Sequence, residues 1–363
     1  MTLVIPPAAS HALLVAPWGI LAFCASLLLT LLIRRTSRRI GLVDQPDEPR
    51  RIHVRPVPLG GGIAIFFALV VGMVAVMAST DVLTRGEITR GHYVGFLLGG
   101  FVLIVGGWID DRFRLPPRLS FVAPVIAAAC AIAGGIEVDK LTNPFGGAFI
   151  LPSWQSDMLV FAWLLVVMYT TKLLDGLDGL ATGISAIGSG MVMLLALTAA
   201  YYQPDVAVLS AIALGALLGF LLFNFHPASI FLGEGGSTFV GYLVGVLAVI
   251  SGGKVATALL VLGIPLLDVV WIILRRWRQG GPSAVFRGDK RHLHHRLLDL
   301  GWSQRQVVMA YYVLAAVFGI SALFLQSREK VFALGVLVLL MGLGALLLIW
   351  KEQTAVAKPS SNP

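Results

Sequence analysis

The sequence predicts an all-α, polytopic integral membrane protein with about eleven transmembrane helices. The 363-residue chain is 57% hydrophobic and only 13% charged, with a mean hydropathy of +0.87, whereas soluble domains carry about 25% charged residues. Several apolar runs reach the roughly 17–25 residues that cross a hydrocarbon core as a helix. The Lys and Arg residues are also sorted unevenly among the segments between these runs. Such a chain must place its surplus apolar surface against lipid.

Eleven apolar runs are interpreted as membrane spans. The first is too long for a signal peptide, and no Lys or Arg precedes Arg34, so we expect it to remain as a span. Cys24 and Cys130 lie inside apolar runs, which favours small core residues over a disulfide or a zinc site. Residues 1–350 are predicted to form one membrane domain, followed by a short polar cytoplasmic tail at 351–363. The spans cover about 11–33, 58–79, 92–109, 119–135, 158–174, 181–200, 206–223, 236–250, 255–274, 306–326 and 331–350.

The positive charges predict the orientation of these spans. When successive spans alternate in direction, 21 of the 27 Lys and Arg residues fall on one side. Cytoplasmic loops of membrane proteins are enriched in these residues. We therefore expect a periplasmic N-terminus and a cytoplasmic C-terminus in the inner membrane of a bacterium. This rule and contact with anionic lipids explain the net charge of +8, which does not indicate a nucleic-acid partner.

The chemically suggestive stretches also fall on the predicted cytoplasmic side. Asp268 lies near the inner end of the ninth span. One site built from several loops on one face of the membrane explains this distribution. The remaining stretches are GLVDQPDEPRRIHVRPVPLGGG, WIDDRFRLPPR, TKLLDGLDG, NFHPASIFLGEGGS and GDKRHLHHRLL.

Two pairs of acids are the first candidates for chemistry. Asp110 and Asp111 form either a solvated helix end or a site for Mg²⁺ or a proton, since hard cations prefer oxygen ligands. A DDxxD motif is excluded because its fifth position is Arg114. Asp175 and Asp178 are expected on one helix face, three residues apart. Because an ionised Asp in mid-bilayer costs about 2.5–3.5 kcal/mol, we expect them to face a cation or a polar cavity.

Two further stretches suit phosphate groups. In FLGEGGS, a Gly-rich loop around Glu234 is expected to expose backbone N–H groups ahead of the next helix. The HLHH tract has the spacing of a metal tract, but the Arg and Lys residues around it favour an anionic phosphate. A positively charged inner loop explains those cations but not three clustered histidines. These are His292, His294 and His295.

In this order, the motifs resemble the polyprenyl-phosphate N-acetylhexosamine-1-phosphate transferases. The likeness runs from about Gly41 to Trp302 and includes WIDDRFRL, DGLDGLATG, NFHPASIFLG and HLHHRLLDLG. The stretch KRHLHHRLLDLGWS is similar to the GlcNAc-1-phosphate branch rather than to the phospho-MurNAc-pentapeptide branch. The resemblance implies that a UDP-HexNAc reacts with undecaprenyl phosphate, giving UMP and the first lipid-linked sugar of a glycan such as lipopolysaccharide or teichoic acid. It also implies Mg²⁺ as the cofactor, with Mn²⁺ as a substitute.

The resemblance implies roles for individual residues. Catalytic roles fall on Asp110, Asp111 and Asp175, and metal binding falls on Asp110, Asp111 and Glu234. Uridine contacts are implied for Asp178, Asn224 and Phe231, with Phe231 stacking on the base. Pyrophosphate contacts are implied for the three histidines of HLHH. The implied substrate-binding residues are His53, Arg118, Lys172, Asp178, Asn224, Phe231, His292, His294 and His295.

Three positions depart from the family pattern. Lys172 stands where relatives have an Asn that binds metal, Glu234 stands where they have a metal-binding Asp, and Ser120 stands where they have a Lys. Two interpretations follow. Either Glu234 still binds Mg²⁺, which we favour, or Lys172 pairs with Glu234 in place of the metal. Lys172 is also expected to supply the charge that is absent at Ser120.

The sequence leaves further alternatives open. The lipid phosphate attacks the β-phosphorus directly, which we favour, or Asp110 or Asp111 first forms a covalent intermediate. A transporter with an acidic ion path and a catalytically idle scaffold are the competing functions. The sugar, the downstream polymer and the oligomeric state, a homodimer included, are not determined by the sequence.

Overall fold

A computed structural model describes residues 8–45, 55–143, 146–252, 255–280, 293–325 and 327–356, and it confirms a helical protein. Each predicted span falls on one of its helices, except that of 119–135, which covers the end of α4 and all of α5. The helices are α1 Ala8–Arg39, α2 Gly61–Ser79, α3 Arg90–Phe113, α4 Pro117–Ser120, α5 Val122–Ala133, α6 Ser153–Leu174, α7 Leu180–Ala196, α8 Pro204–Asn224, α9 Glu234–Ile250, α10 Val255–Gly280, α11 Leu293–Asp299, α12 Gln304–Phe324 and α13 Ser327–Val356.

Within the described part of the chain, seven helices are long and apolar enough to cross a membrane by themselves, namely α1, α2, α3, α6, α8, α10 and α12. Three shorter apolar stretches cover α4–α5, α7 and α9. Large apolar side chains such as Leu28, Phe101 and Val313 are more than half exposed, as lipid-facing residues are. A multi-pass membrane protein is thereby confirmed, whereas the count of eleven spans and their orientation stay predictions. Helix α13 runs to Val356, six residues beyond the predicted end of the membrane domain.

Two short antiparallel hairpins interrupt the helical pattern. Strand β1 (Val43–Asp44) pairs with β2 (Val57–Pro58) between α1 and α2. Strand β3 (Lys140–Thr142) pairs with β4 (Ala148–Ile150) between α5 and α6. The first hairpin is tied to the loop before α9, because the N–H of Phe231 donates to the carbonyl of Pro58 at 2.9 Å. It therefore closes one end of the bundle.

Helix α9 is the buried centre of the bundle, with every residue from Gly235 to Val249 buried. Its first turn packs on two neighbours through glycine. A Cβ on Gly107 of α3 would lie 2.0 Å from the Cα of Gly235, and one on Gly62 of α2 would lie 2.2 Å from the Cα of Gly236. Small residues of this kind let helix backbones approach closely in membranes. This packing brings the end of α3 against the start of α9.

Candidate active site

A cavity of about 1050 Å³ opens at the end of the bundle where α1, α3, α6 and α8 end and where α2 and α9 begin. Residues from four of the five chemically suggestive stretches line this one space, and the described part of GDKRHLHHRLL does not. The charged lining of the cavity consists of six carboxylates, Asp44, Asp110, Asp111, Asp175, Asp178 and Glu234, and four cations, Arg38, Arg55, Arg114 and Lys172.

The acids at the end of α3 hold the surrounding backbone in place. Asp111 Oδ1 accepts the N–H of Glu234 at 3.1 Å, and Asp110 Oδ1 accepts the N–H of Leu115 at 2.9 Å. Arg114 ends α3 in the left-handed region, at φ 51°, and so turns the chain back toward its own Asp pair. Both carboxylates face the cavity, as the sequence predicts, but each also anchors a turn.

The FLGEGGS stretch differs from the predicted phosphate loop. Helix α9 begins at Glu234, so Gly235 and Gly236 belong to the helix and serve its close packing. The expectation of an open Gly-rich loop is wrong because the small residues are used for helix contact. The N–H of Glu234, which such a loop would offer to phosphate, already donates to Asp111.

Two of the departing residues form an ion pair. Lys172 Nζ, in the last turn of α6, lies 2.6 Å from Glu234 Oε2, with side-chain exposures of 25% and 43%. Both residues line the main cavity. The ammonium also lies 6.0 Å from the centre of the Tyr169 ring. The sequence names this pairing as one of two alternatives, and the structure has the two groups in contact.

Asp175 and Asp178 do not share a helix face. Helix α6 ends at Leu174 and α7 begins at Leu180, with Gly179 at φ 80° between them. The prediction of a helical pair is wrong because the glycines of DGLDG break the helix into a tight turn. Burial raises the pKa of the Asp175 carboxyl well above its usual range, and the charges of Glu234, Asp178 and Asp111 raise it further.

Asp178 fastens the turn to the loop between α8 and α9. Its Oδ2 accepts from Nδ1 of His226 at 2.8 Å, with the tautomer assigned from this geometry, and from the N–H of Ala228 at 3.0 Å. Sequence reasoning missed His226, although it stands two residues after Asn224 in a stretch already singled out. That position next to a predicted contact was the available signal.

The predicted uridine contacts Asn224 and Phe231 differ in burial. Asn224 is buried, its Oδ1 accepts from Thr182 at 2.8 Å, and its Nδ2 donates to the carbonyl of Ile230 at 3.1 Å. Its amide therefore shapes the loop as well as lining the cavity. Phe231 is partly buried and lines the cavity. Uridine binding by these residues stays a prediction.

The histidine tract lies beside the acidic turn. His294 is only 1% exposed, and a Cβ on Gly176 would lie 2.9 Å from its Nε2. The rings of His294 and His295 are 4.4 Å apart. Helix α11 is fixed here because Asp268 Oδ1 accepts the N–H of Leu293 at 2.9 Å, which gives that Asp a structural role.

Three of the predicted residues that the structure describes, Arg118, His294 and His295, do not line the cavity. Arg118 is exposed on the short helix α4 and is not among the residues that line the cavity. His53 and His292 lie outside the described residues. Arg38, Arg55 and Arg114 line the cavity instead, and the sequence argument did not select them as ligands.

A second, mainly apolar cavity of about 310 Å³ adjoins the first. It runs between α3 and α5, from Phe101 to Ile126, and Ser120 lies on its wall. Asp110, Lys172 and Glu234 line both cavities. An apolar groove that ends at charged groups suits a ligand with a hydrocarbon chain and a polar head.

The cavity carboxylates supply oxygen ligands of the kind that Mg²⁺ binds. Among the described residues, no three His, Cys, Asp or Glu side chains form a complete ligand group. Mg²⁺ does not require one, since it usually binds one or two carboxylates together with substrate phosphates and water. Asp110 and Asp111 each present a cavity-facing carboxylate whose hydrogen bonds to described residues involve Oδ1 alone. The residues present therefore fit a substrate-linked Mg²⁺.

Known proteins match this chain over most of its length. A family model for glycosyl transferase family 4 matches residues 93–252. The chain is 33% identical, over 89% of its length and 90% of the relative, to a probable undecaprenyl-phosphate N-acetylglucosaminyl 1-phosphate transferase of Bacillus subtilis. It is 33% identical to the decaprenyl-phosphate N-acetylglucosaminephosphotransferase of Mycobacterium tuberculosis, over 82% of this chain and 80% of that one.

A third relative, the undecaprenyl-phosphate alpha-N-acetylglucosaminyl 1-phosphate transferase of Yersinia pestis, is 27% identical over 81% of this chain and 80% of its own. The chain belongs to glycosyl transferase family 4, among the polyprenyl-phosphate N-acetylhexosamine-1-phosphate transferases.

Proposed function

We propose that the protein transfers a HexNAc-1-phosphate, GlcNAc-1-phosphate in the first instance, from a UDP-sugar to undecaprenyl phosphate. The observation that carries the proposal is the pair of adjoining cavities, one lined by charged groups from four motifs and one mainly apolar. The first suits the sugar nucleotide. The second suits the prenyl chain, whose phosphate would then lie near Lys172 and Glu234. The names of the relatives support the acceptor and the sugar.

The proposed reaction is a single displacement. The second pKa of a phosphate monoester is about 6, so a lipid phosphate is mostly dianionic at neutral pH and needs no strong base. One of its oxygens bonds to the β-phosphorus of the UDP-sugar, the bond from that phosphorus to the bridging oxygen breaks, and UMP leaves. A covalent intermediate on Asp110 or Asp111 is less favoured, because both carboxylates already anchor backbone N–H groups.

The protein contributes mainly positioning and charge neutralisation, as in phosphoryl transfer generally. Arg38, Arg55 and Arg114 line the cavity and are proposed to bind the diphosphate and the attacking phosphate. Asp178 holds the loop that carries His226 and so shapes the nucleotide side of the cavity. The turn before α7 is held from the other side, because the hydroxyl of Tyr312 donates to the carbonyl of Gly179 at 2.5 Å.

Mg²⁺ is the proposed cofactor, and Mn²⁺ the proposed substitute. The cavity lining carries six carboxylates and four Lys or Arg residues, so its cations alone would not neutralise two anionic substrates. Asp110, Asp111 and Glu234 are the residues that would hold the ion. When bound, the ion supplies positive charge that neutralises the diphosphate and its leaving group.

The proposed setting is the inner membrane of a bacterium, with eleven spans and the cavity on the cytoplasmic side. The support is the distribution of charge. The segments at the cavity end of the bundle belong to the side that holds 21 of the 27 Lys and Arg residues. The N-terminus is then periplasmic and the C-terminus cytoplasmic. A nucleotide sugar made in the cytoplasm reaches the cavity directly in this orientation.

Release of UMP tests the proposed function. Purified protein in detergent is incubated with UDP-GlcNAc and Mg²⁺, with and without undecaprenyl phosphate. We expect UMP only when the lipid is present, and an Asp111→Asn variant that elutes as folded protein should release little. No UMP with any UDP-HexNAc would favour the scaffold. Passage of the intact substrate into proteoliposomes without UMP release would favour the transporter, although the carboxylates described here cluster at one end of the bundle.

A further inference from the structure

The Lys172–Glu234 pair lies at the meeting point of the two cavities. Both residues line the charged cavity and the apolar groove, and the ammonium and carboxylate are 2.6 Å apart. Lys172 comes from the end of α6, and Glu234 is the first residue of α9. A Cβ on Gly241 of α9 would lie 2.2 Å from Thr171 Oγ1, so these two helices are in close contact and the pair is held by the packing of the bundle.

The neighbours of this pair are mainly acidic. Glu234 and Asp111 are both near enough to Asp175 for their charges to raise the pKa of its carboxyl. The main chain of Glu234 is bound directly by Asp111. Lys172 therefore supplies a positive charge in the middle of several carboxylates. Its ammonium pairs with the carboxylate that a metal ion would also use.

One carboxylate does not easily serve both cations. The ammonium occupies Glu234 Oε2, and Mg²⁺ would bind the same carboxylate at about 2.0–2.1 Å. The two cations would then be a few ångströms apart, much less than a Debye length, so water reduces their repulsion at these half-exposed side chains but does not remove it. Lys172 must therefore lower the affinity of Glu234 for a divalent cation as long as the ammonium remains there.

We propose that Lys172 makes divalent-cation binding depend on the sugar-nucleotide diphosphate, a proposal that rests on the proposed function of this site. In the free protein the ammonium holds Glu234. When the diphosphate enters, its negative charge draws the ammonium away, and the released carboxylate and the phosphate oxygens bind the metal together. The metal and the donor then load as one unit, and the ligand-free site stays without tightly bound metal.

Binding of Mn²⁺ followed by electron paramagnetic resonance tests this proposal without turnover. The purified full-length chain is titrated in detergent with Mn²⁺ alone and again with UDP-GlcNAc, and a protein-free titration corrects for Mn²⁺ bound by the nucleotide itself. Lys172→Met removes the charge at similar length, and Lys172→Gln is the second variant. Lys140→Met is the matched control, since Lys140 is exposed on β3, away from both cavities.

The proposal predicts weak Mn²⁺ binding by the unchanged protein alone and clear binding with UDP-GlcNAc. Without nucleotide, either Lys172 variant should bind Mn²⁺ about tenfold more tightly than the unchanged protein, and Lys140→Met should not. Equal binding by the Lys172 variants and the unchanged protein would overturn the proposal. Two results for the unchanged protein would also overturn the proposal, even if both variants failed to fold. These are tight Mn²⁺ binding without UDP-GlcNAc and no Mn²⁺ binding with UDP-GlcNAc. If the Mn²⁺ binding results are as predicted but the protein releases no UMP, only the proposed transfer reaction is refuted.

Discussion

Replacement of Gly107 by Ala should separate α3 from α9 and damage the site from a distance. The added Cβ would lie 2.0 Å from Gly235, so reaching an ordinary contact of about 3.4 Å requires the backbones to move apart by about 1.4 Å. The hydrogen bond between Asp111 and Glu234 is 3.1 Å long and joins the same two helices. A movement of that size would carry it beyond the range of about 2.7–3.2 Å for N–H···O bonds.

The expected cost of this overpacking is about 1–3 kcal/mol of folding free energy, together with a large loss of UMP release. Thermal unfolding in detergent and the UMP assay measure the two effects. Gly190→Ala is the matched control within α7, because its Cβ would meet Leu214 at an ordinary 3.8 Å. Because Ala has a higher helix propensity than Gly, this control should gain up to about 1 kcal/mol of folding free energy. Unchanged unfolding and activity in Gly107→Ala would refute the argument that glycine contacts position the acids.

Further predictions concern charge, metal and topology. Asp178→Asn should lose about 1.5–3 kcal/mol of folding free energy, because its hydrogen bonds to the loop between α8 and α9 are weakened, and it should lose most UMP release. Asp139→Asn, beside the hairpin of β3 and β4, should match the unchanged protein in both assays. Asp175→Asn should abolish transfer yet unfold at a higher temperature than the unchanged protein. The difference in unfolding temperature between Asp175→Asn and the unchanged protein should grow as the pH rises above about 3.9. The reason is that the folded state keeps the Asp175 carboxyl protonated where the unfolded chain releases its proton. A difference that shrinks with rising pH contradicts the argument that burial raises this pKa. EDTA should stop UMP release and added Mg²⁺ restore it, and full activity in EDTA would reject the metal. A cysteine replacing Asp139, in a chain without its native cysteines, should react with an impermeant maleimide in spheroplasts, and one replacing Arg118 only after lysis; the reverse pattern would invert the topology.

The sequence predicts the site better than it predicts the contacts inside it. Alternation of apolar runs places Asp110, Asp178 and Glu234 at one end of the bundle, because each lies where a span begins or ends. That deduction needs only the lengths and order of the spans. It does not need their packing, and in the structure these three residues line one cavity.

The errors come from local backbone and from helix contacts. The glycines at 176 and 179 were available signals that DGLDG ends one helix before the next begins, and the helical spacing of Asp175 and Asp178 was preferred instead. The glycines after Glu234 suit either a phosphate loop or close helix packing. Which of the two holds depends on Gly107 and Gly62, far away in the chain, so the sequence of that stretch alone could not decide it.

The pairing of Lys172 with Glu234 shows the same limit. Sequence spacing gives no distance between residues of two different helices. It was possible to name the pair as one of two outcomes, but only the packing of α6 against α9 brings the atoms to 2.6 Å. His226 was missed for a related reason, since its bond to Asp178 links two loops that are distant in sequence.

The fate of the β-phosphorus tests the central claim most directly. UDP-GlcNAc labelled with ³²P at the β-phosphate is incubated with the protein, undecaprenyl phosphate and Mg²⁺, and the lipid and aqueous products are separated. Transfer of a sugar-1-phosphate predicts that the label moves into the lipid, in equal amount to unlabelled UMP in the aqueous phase. Label that stays in the aqueous phase as UDP while the sugar moves to the lipid, or a lipid phase that gains neither, would contradict the account.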